Sequence, residues 1–456
     1  RATFCNSDAS GRPARRLRPA TPEAIVPASP ETDRQVGFTL VRTGPDAHQG
    51  RMKINTRAFL RDNAPFLATG ALLSFLSSFG QTFFISVFAG EIRAEFGLSN
   101  GDWGLIYMAG TGASALAMVF AGGLADRFRV RVLGVVTIAF LAAASLAMAL
   151  NPWAALLPVV IFALRFGGQG MTSHVATVAM VRWFVATRGK ALAVATMGFL
   201  TAEALLPLTV VWLKSQIDWR LIWVGGAVFC VAMLPVLYRL LRLERTPQSS
   251  AESNVTTGME GRHWTRAQAL RHPLFWSLVP ALMSFPALGT AFWFQQVAFA
   301  AEKGIDHLVL VSVFPLGTIT FAVSTVLYGW AIDRFGAARL LPLYLLPLVI
   351  GFALHAYAPD ITWIAGGIVM MGLAGGGQAT LPNACWGEFY GTRHLGSIKS
   401  AVAAVMVLGS ALGPGLSGWL MDAGVPFEQQ LLYYAATFLV VSALMIPAVA
   451  QARRAV

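Results

Sequence analysis

The chain has 456 residues, 56% hydrophobic and 12% charged, about half the charged share of an ordinary soluble domain, which excludes a soluble globular protein. Its net charge of +12 would suggest a nucleic-acid partner in a soluble protein, but membrane proteins collect lysine and arginine on their cytoplasmic loops, so no nucleic acid is implied. Cys5, Cys230 and Cys385 form neither a disulfide framework nor a zinc motif, and no cofactor is called for.

Residues 1–51 are rich in Arg, Pro, Ser and Ala, with no apolar run long enough for a secretory signal, and are expected to be a disordered tail. One reading starts translation at Met52, because "MKINTRAFLRDNAPF" is a short basic lead into an apolar span; the other keeps the tail as a functional segment.

From there, windows of about 20 residues, enough helix to cross ~30 Å of hydrocarbon, place twelve spans. They fall near 65–89, 103–124, 132–151, 154–180, 190–213, 219–241, 274–299, 308–331, 340–358, 361–386, 398–420 and 429–450. The expected fold is an all-α membrane protein in two six-helix bundles, 52–241 and 274–450, joined by a polar linker at 242–273 and followed by a short tail, 451–456.

Loops after odd-numbered spans hold four basic residues, Arg93, Lys214, Arg220 and Lys303, against sixteen after even-numbered spans. The positive-inside rule then puts both termini in the cytoplasm, and a bacterial inner membrane is the expected location.

The two halves repeat. "GGLADRFRVR" from Gly122 matches "GWAIDRFGAAR" from Gly329, so Asp126 and Asp333 are 207 residues apart, and Pro207 and Pro414 share that offset. "WFVATRG" (183–189) also resembles "EFYGTRHLG" (388–396). Parallel repeats of this kind are a transporter pattern.

On these residues the chain after about residue 60 resembles the major facilitator superfamily. The family's loop signature between spans two and three is met by Gly122, Leu124, Ala125, Asp126, Arg127 and Arg131, with Arg129 where a second glycine is usual. Its C-terminal copy keeps Gly329, Asp333, Arg334 and Gly336, and the fourth-span signature appears as Arg165, Gln169 and Gly170. The resemblance implies alternating access by a monomer. Physically, an aspartate at a helix end can accept hydrogen bonds from basic side chains and sit at a helix N-terminus. Asp126 and Asp333 are therefore expected to latch the bundles in an outward-facing state; the plainer reading is that the motif's charges set topology.

Histidines aside, Arg165 and Glu203 are the charges well inside spans, where each costs several kcal/mol unless paired or facing water. Both lie about ten or eleven residues from the same end of consecutive antiparallel spans, or roughly 15 to 17 Å deep at ~1.5 Å per residue, and are expected to pair. Gln169 and Thr172 follow Arg165 at helical spacing to make one polar face. The pair is a fixed structural bridge or a proton-coupling site, in which desolvation favours neutral Glu203 and the guanidinium favours its anion; a third reading has Glu203 contact the substrate directly. Gln81, Gln295, Gln296, Gln378, Asn383 and Ser410 are the other candidates for a substrate cavity, or bridges between helices. Trp293 and Trp386 are cavity walls or packing; His174 and His355 read as structural.

The expected function is secondary active transport of a small solute across the lipid bilayer, coupled to protons. "RWFVATRGKALA" resembles the monocarboxylate and oxalate/formate porter branch, which implies uptake of an organic anion, although spans eight and eleven lack the further basic residue of that branch. The alternative is a proton-antiport exporter of drugs or metabolites, whose span-five glycine-proline signature is resembled by "GSALGPGLSG" (409–418) on span eleven. A non-transporting receptor and a membrane enzyme are the other classes, the latter without paired carboxylates, HExxH or a nucleophile with its base.

Overall fold

The computed structural model describes residues 56–184, 187–243 and 257–454. The tail, Met52 and most of the polar linker lie outside them. Among the described residues the chain is helical, without strands. Its spans are α1, a broken pair Ala64–Gly80 and Thr82–Phe96 bent by 46°, α2 Asn100–Ala121, α3 Val130–Leu150, α4 Ala154–Trp183, α5 Gly189–Lys214 and α6 Trp219–Leu240. The second half supplies α7 Pro273–Phe294, α8 His307–Phe335, a shorter α9 Leu346–Ala356, α10 Ile361–Tyr390, α11 Ser397–Asp422 and α12 Phe427–Arg454.

Ten of these are long and apolar enough to cross a bilayer singly, and the bent α1 is an eleventh. The surface carries the opposite pattern to a soluble protein: Leu116, Phe120 and Val326 are 69%, 84% and 72% exposed, as a hydrocarbon solvent allows. Arg165, Gln296 and Gln430 are instead buried within.

Helix starts are set by carboxylates and hydroxyls at the arginine-poor end. Ser99 and Asp102 form a capping box on α2, with bonds of 2.9 and 3.1 Å. Asp218, Asp306 and Asp360 each accept a backbone N–H of α6, α8 and α10 at 2.8 Å. These acids satisfy orphan donors and complement the helix dipole. Three of the four basic residues at this end are tied to carboxylates: Lys214 to Glu91 at 2.7 Å, Lys303 to Glu428 at 2.8 Å, and Arg220 to Glu95.

Several spans depart from the sequence expectation. The first breaks at Gln81, whose backbone is extended (φ −88°, ψ 156°) after the 3-10 turn Ser77–Gly80. The seventh stops at Phe294, and a separate short helix, Gln296–Glu302, continues the chain. The fourth contains a π-helical segment, Phe166–Thr172. The segment lies where packing is closest: a Cβ on Gly168 would stand 2.6 Å from the Gly80 Cα, so the glycines let α1 and α4 touch backbone to backbone. The wider turn destroys the polar stripe expected from Arg165, Gln169 and Thr172, because i+4 and i+7 no longer share a face. Thr172 instead donates to Gly167 O at 2.7 Å.

Within the halves, α1 packs on α5, α3 on α6, α7 on α11 and α8 on α10, while α2–α11 and α5–α8 join the halves. The glycine-rich stretch 409–418 serves both kinds of contact. A Cβ on Gly413 would collide with the Ala287 carbonyl of α7, and one on Gly418 with the Asn100 carbonyl of α2. Small residues let membrane helices approach this closely, so the stretch has a packing role whatever it resembles. The end of the linker belongs to the second half: Trp264 N donates to Tyr390 O at 3.1 Å.

Candidate functional site

Between α5 and the second half lies a cavity of about 420 Å³, within the range that holds small organic ligands. Glu203 enters it from α5, Thr290 and Trp293 from α7, Phe314 from α8, and Gln378 and Asn383 from α10. Aromatic rings supply much of the wall; Trp293 and Phe314 meet edge to face at 4.7 Å. Glu203 is half-buried and makes no hydrogen bond or ion pair among the described residues. Asn383 donates to its own helix, Ala379 O at 2.9 Å. Gln378 has no partner for either amide atom among the described residues. Among the described residues, no Lys, Arg or His lines the cavity.

Arg165 is placed elsewhere, and the expected pair with Glu203 is not formed. Its guanidinium is buried at 1% exposure and donates from Nη1 to Gly80 O at 3.1 Å. The Tyr107 ring centroid lies 5.5 Å away; Nε and Nη2 find no partner among the described residues. Matching depth set the level of the two charges but not their direction. Arg165 bonds the broken turn of α1, while Glu203 faces the second half.

The other expected cavity residues divide. Glu203, Gln378 and Asn383 line it, and Ser410 stands behind, accepting from Thr290 Oγ1 at 3.2 Å. Gln81 and Gln169 are half-buried outside the lining. Gln295 is buried outside it as well. Gln296 is used as a bridge between the halves, its Nε2 donating to Ser86 Oγ at 2.7 Å. Trp293 is a wall; Trp386 packs against Phe275 and Tyr390 instead. His174 Nε2 lies 3.1 Å from Gly122 O, and His355 sits among Phe292, Phe299 and Phe352. Sequence reasoning missed Thr290 and the phenylalanines, whose types are common in any span and carry no signal of direction.

Among the described residues, no hydrogen bond or ion pair of the loop motifs crosses between the halves. The Asp126 side chain lies outside the described residues. Arg127, Asp333 and Arg334 are exposed, and the Arg131 guanidinium stacks 3.9 Å over the Tyr238 ring of α6. At the arginine-poor end, by contrast, the halves are joined. Asp422, the last residue of α11, accepts from Ser99 Oγ at 2.5 Å and Gly101 N at 2.8 Å, at the N-terminus of α2. Phe294 stacks on Trp103 at 5.5 Å and meets Tyr107 at 4.5 Å. The hydrogen bonds and ring contacts described between the halves all lie on this side of Glu203.

Charge-assisted bonds of this kind contribute about 1.5–3 kcal/mol. Asp422→Ala is therefore expected to shift the conformational equilibrium by roughly ten- to hundredfold toward opening of this end. Spin labels at exposed Ala94 and Ala301 should report a longer-distance population in the variant; an unchanged distribution would contradict the role given to Asp422.

Two six-helix halves, repeated in sequence and facing each other across a central cavity, define the major facilitator architecture. The chain belongs to the Major Facilitator Superfamily, whose family model matches residues 70–324 and 297–454. A multidrug resistance protein B homolog from Mycobacterium tuberculosis is 33% identical over 130 residues, 28% of this chain and 24% of that protein. A triacylglyceride transporter from Mycobacteroides abscessus is 33% identical over 88 residues, 19% of this chain and 17% of the other. The matched stretches thus span no more than about a quarter of these relatives. A bacterial homolog of the human lysosomal transporter Spinster, crystallised inward-facing and occupied, superposes with a TM-score of 0.63 at 16% identity, covering 87% of this chain and 97% of that one. The nucleoside transporter NupG gives 0.63 at 14% identity, covering 84% and 98%. At such identities the superpositions speak for the fold.

Proposed function

We propose that the protein is a secondary active transporter that exchanges protons for an aromatic or apolar cation through the cavity beneath Glu203. The observation that carries this reading is the lining: one carboxylate without a protein partner, aromatic walls, and no cationic side chain among the described residues. An acid in such a place binds a cation or a proton, but not both at once, which is the requirement for antiport. Aromatic faces add cation–π attraction. Uptake of an organic anion, the other reading of the sequence, needs a cation at the site, and Arg165 does not line it. The relative named as a multidrug resistance protein supports export.

The arginine-rich end is assigned to the cytoplasm by the positive-inside rule, in a bacterial inner membrane, with both termini cytoplasmic and the monomer as the working unit. On this reading Asp422 closes the end opposite the cytoplasm, as an inward-facing state requires. Asp126 and Asp333 become the latches of the other state. In proteoliposomes holding the full chain and an imposed pH gradient, tetraphenylphosphonium, a permanent cation, should move against its gradient and dissipate the proton gradient as it does so. Movement of a carboxylate probe such as benzoate, with none of the cation, would overturn the reading.

A further inference from the structure

We infer that the Thr318 hydroxyl holds an acceptor oxygen of the solute, a carbonyl close to the cationic charge, while Glu203 takes the charge itself. The inference rests on the cation reading of the cavity given above.

Thr318 lies on α8 eleven residues from His307, as Glu203 lies eleven residues from Lys214 on α5. Both counts start at the arginine-poor end, so at ~1.5 Å per residue the two side chains share a level roughly 16 Å down. The two helices are in contact and both residues line the cavity, so here direction agrees with depth. Packing sets that direction. Gly317 and Thr320 turn toward α10, where a Cβ on Gly317 would stand 2.8 Å from Ile368 Cγ2 and one on Gly372 would stand 2.9 Å from Thr320 Cβ. Phe314, Thr318 and Phe321, at i, i+4 and i+7, make the neighbouring face and line the cavity.

Thr318 is half-buried. Its hydroxyl makes no hydrogen bond among the described residues and, unlike the Gln378 amide, is not sealed from solvent. Neighbouring threonines are spent: Thr320 donates to Leu316 O at 2.7 Å, Thr325 to Phe321 O at 2.8 Å, and Thr290 to Ser410 Oγ at 3.2 Å. Thr111, the counterpart of Thr318 at the 207-residue offset of the repeat, is 2% exposed and lies outside the cavity lining. Asn383 lies toward the opposite end, seven residues from Tyr390, with an amide N–H on Ala379 O at 2.9 Å. Thr318 therefore puts an open hydroxyl at the level of Glu203, between two phenylalanines. A solute oxygen drawn against such rings loses water and needs a donor there, and a rotating hydroxyl supplies one. Sites that pair a polar group reject analogues lacking it.

The test uses pairs of N-alkylpyridinium cations that end in a phenyl ring, each ketone matched to the analogue with CH2 in place of its carbonyl. One, two or three carbons separate the carbonyl from the charged nitrogen. Binding to the purified full chain in detergent is read by calorimetric titration. For at least one spacer the ketone should bind about three- to tenfold tighter than its analogue. In Thr318→Val, which keeps the shape and removes the hydroxyl, that ratio should fall to about one while affinity for the CH2 analogue is unchanged. Thr318→Ser, which restores a hydroxyl, should keep the preference. A preference that survives Thr318→Val would assign the oxygen to another donor, such as the Trp293 indole in the same wall, and overturn the inference. Loss of the preference in Thr318→Ser as well would trace it to packing and also overturn it. Equal binding of every pair to the wild-type protein would overturn it and leave the cation reading standing. Failure of all the cations to bind would bring down both.

Discussion

Glu203→Gln should abolish proton-driven movement of tetraphenylphosphonium. The substitution keeps the shape of the side chain and removes its charge change, and among the described residues no other carboxylate lines the cavity. Loss of an ionic contact in an apolar site costs about 1.5–3 kcal/mol, so affinity for the cation should fall roughly ten- to hundredfold. The ligand-free variant should melt at or above the wild-type temperature, since a half-buried carboxylate without a partner among the described residues has been removed, and so show that it is folded. Accumulation of the cation by Glu203→Gln under a pH gradient alone would place coupling elsewhere.

Gly198→Val should be the most damaging substitution in the helix that carries Glu203. A Cβ there would collide with the Ala71 carbonyl of α1, backbone against backbone, with no flexible side chain to yield. Overpacking of this kind typically costs about 1–3 kcal/mol and occasionally more, and here it would also push α5 away from α1 and displace Glu203. Gly189, at the start of the same helix, has nothing within 4 Å of a built Cβ, so Gly189→Val is the control. Melting in detergent should fall by several degrees for the first and little for the second. Equal behaviour of the two would show that the α1–α5 contact does not position the site.

The fold was legible because a bilayer imposes length and apolarity on every span, and because Asp126 and Asp333 mark the repeat at a fixed offset. The breaks were less so. Nothing in the apolar pattern around Gln81 or Gln295 distinguishes a helix from a helix that stops for a turn. The π-helical segment of α4 left a trace in Phe166–Thr172, whose glycines allow the close approach to Gly80, but glycine alone does not say which turn will widen.

The site was legible in its acid and not in its partners. Glu203 stood out as a carboxylate far from any span end, and it does line the cavity. Depth along a helix is read from residue number, whereas direction around it depends on packing. Arg165 therefore matched Glu203 in level and turned out to bond Gly80 instead. Asp422 escaped notice because it lies at a span end, where an acid is unremarked until Ser99 and Gly101 from the other half are seen to meet it.

The most direct test of the central claim is the proton balance of binding. Tetraphenylphosphonium carries a fixed charge, so any proton that leaves when it binds comes from the protein. Purified full chain in weakly buffered detergent, titrated with the cation over a series of pH values, should release up to about one proton per cation bound. Glu203→Gln should release none at any pH. Proton release of the same size from Glu203→Gln, or binding to the wild-type protein with no release at any pH, would contradict exchange at Glu203.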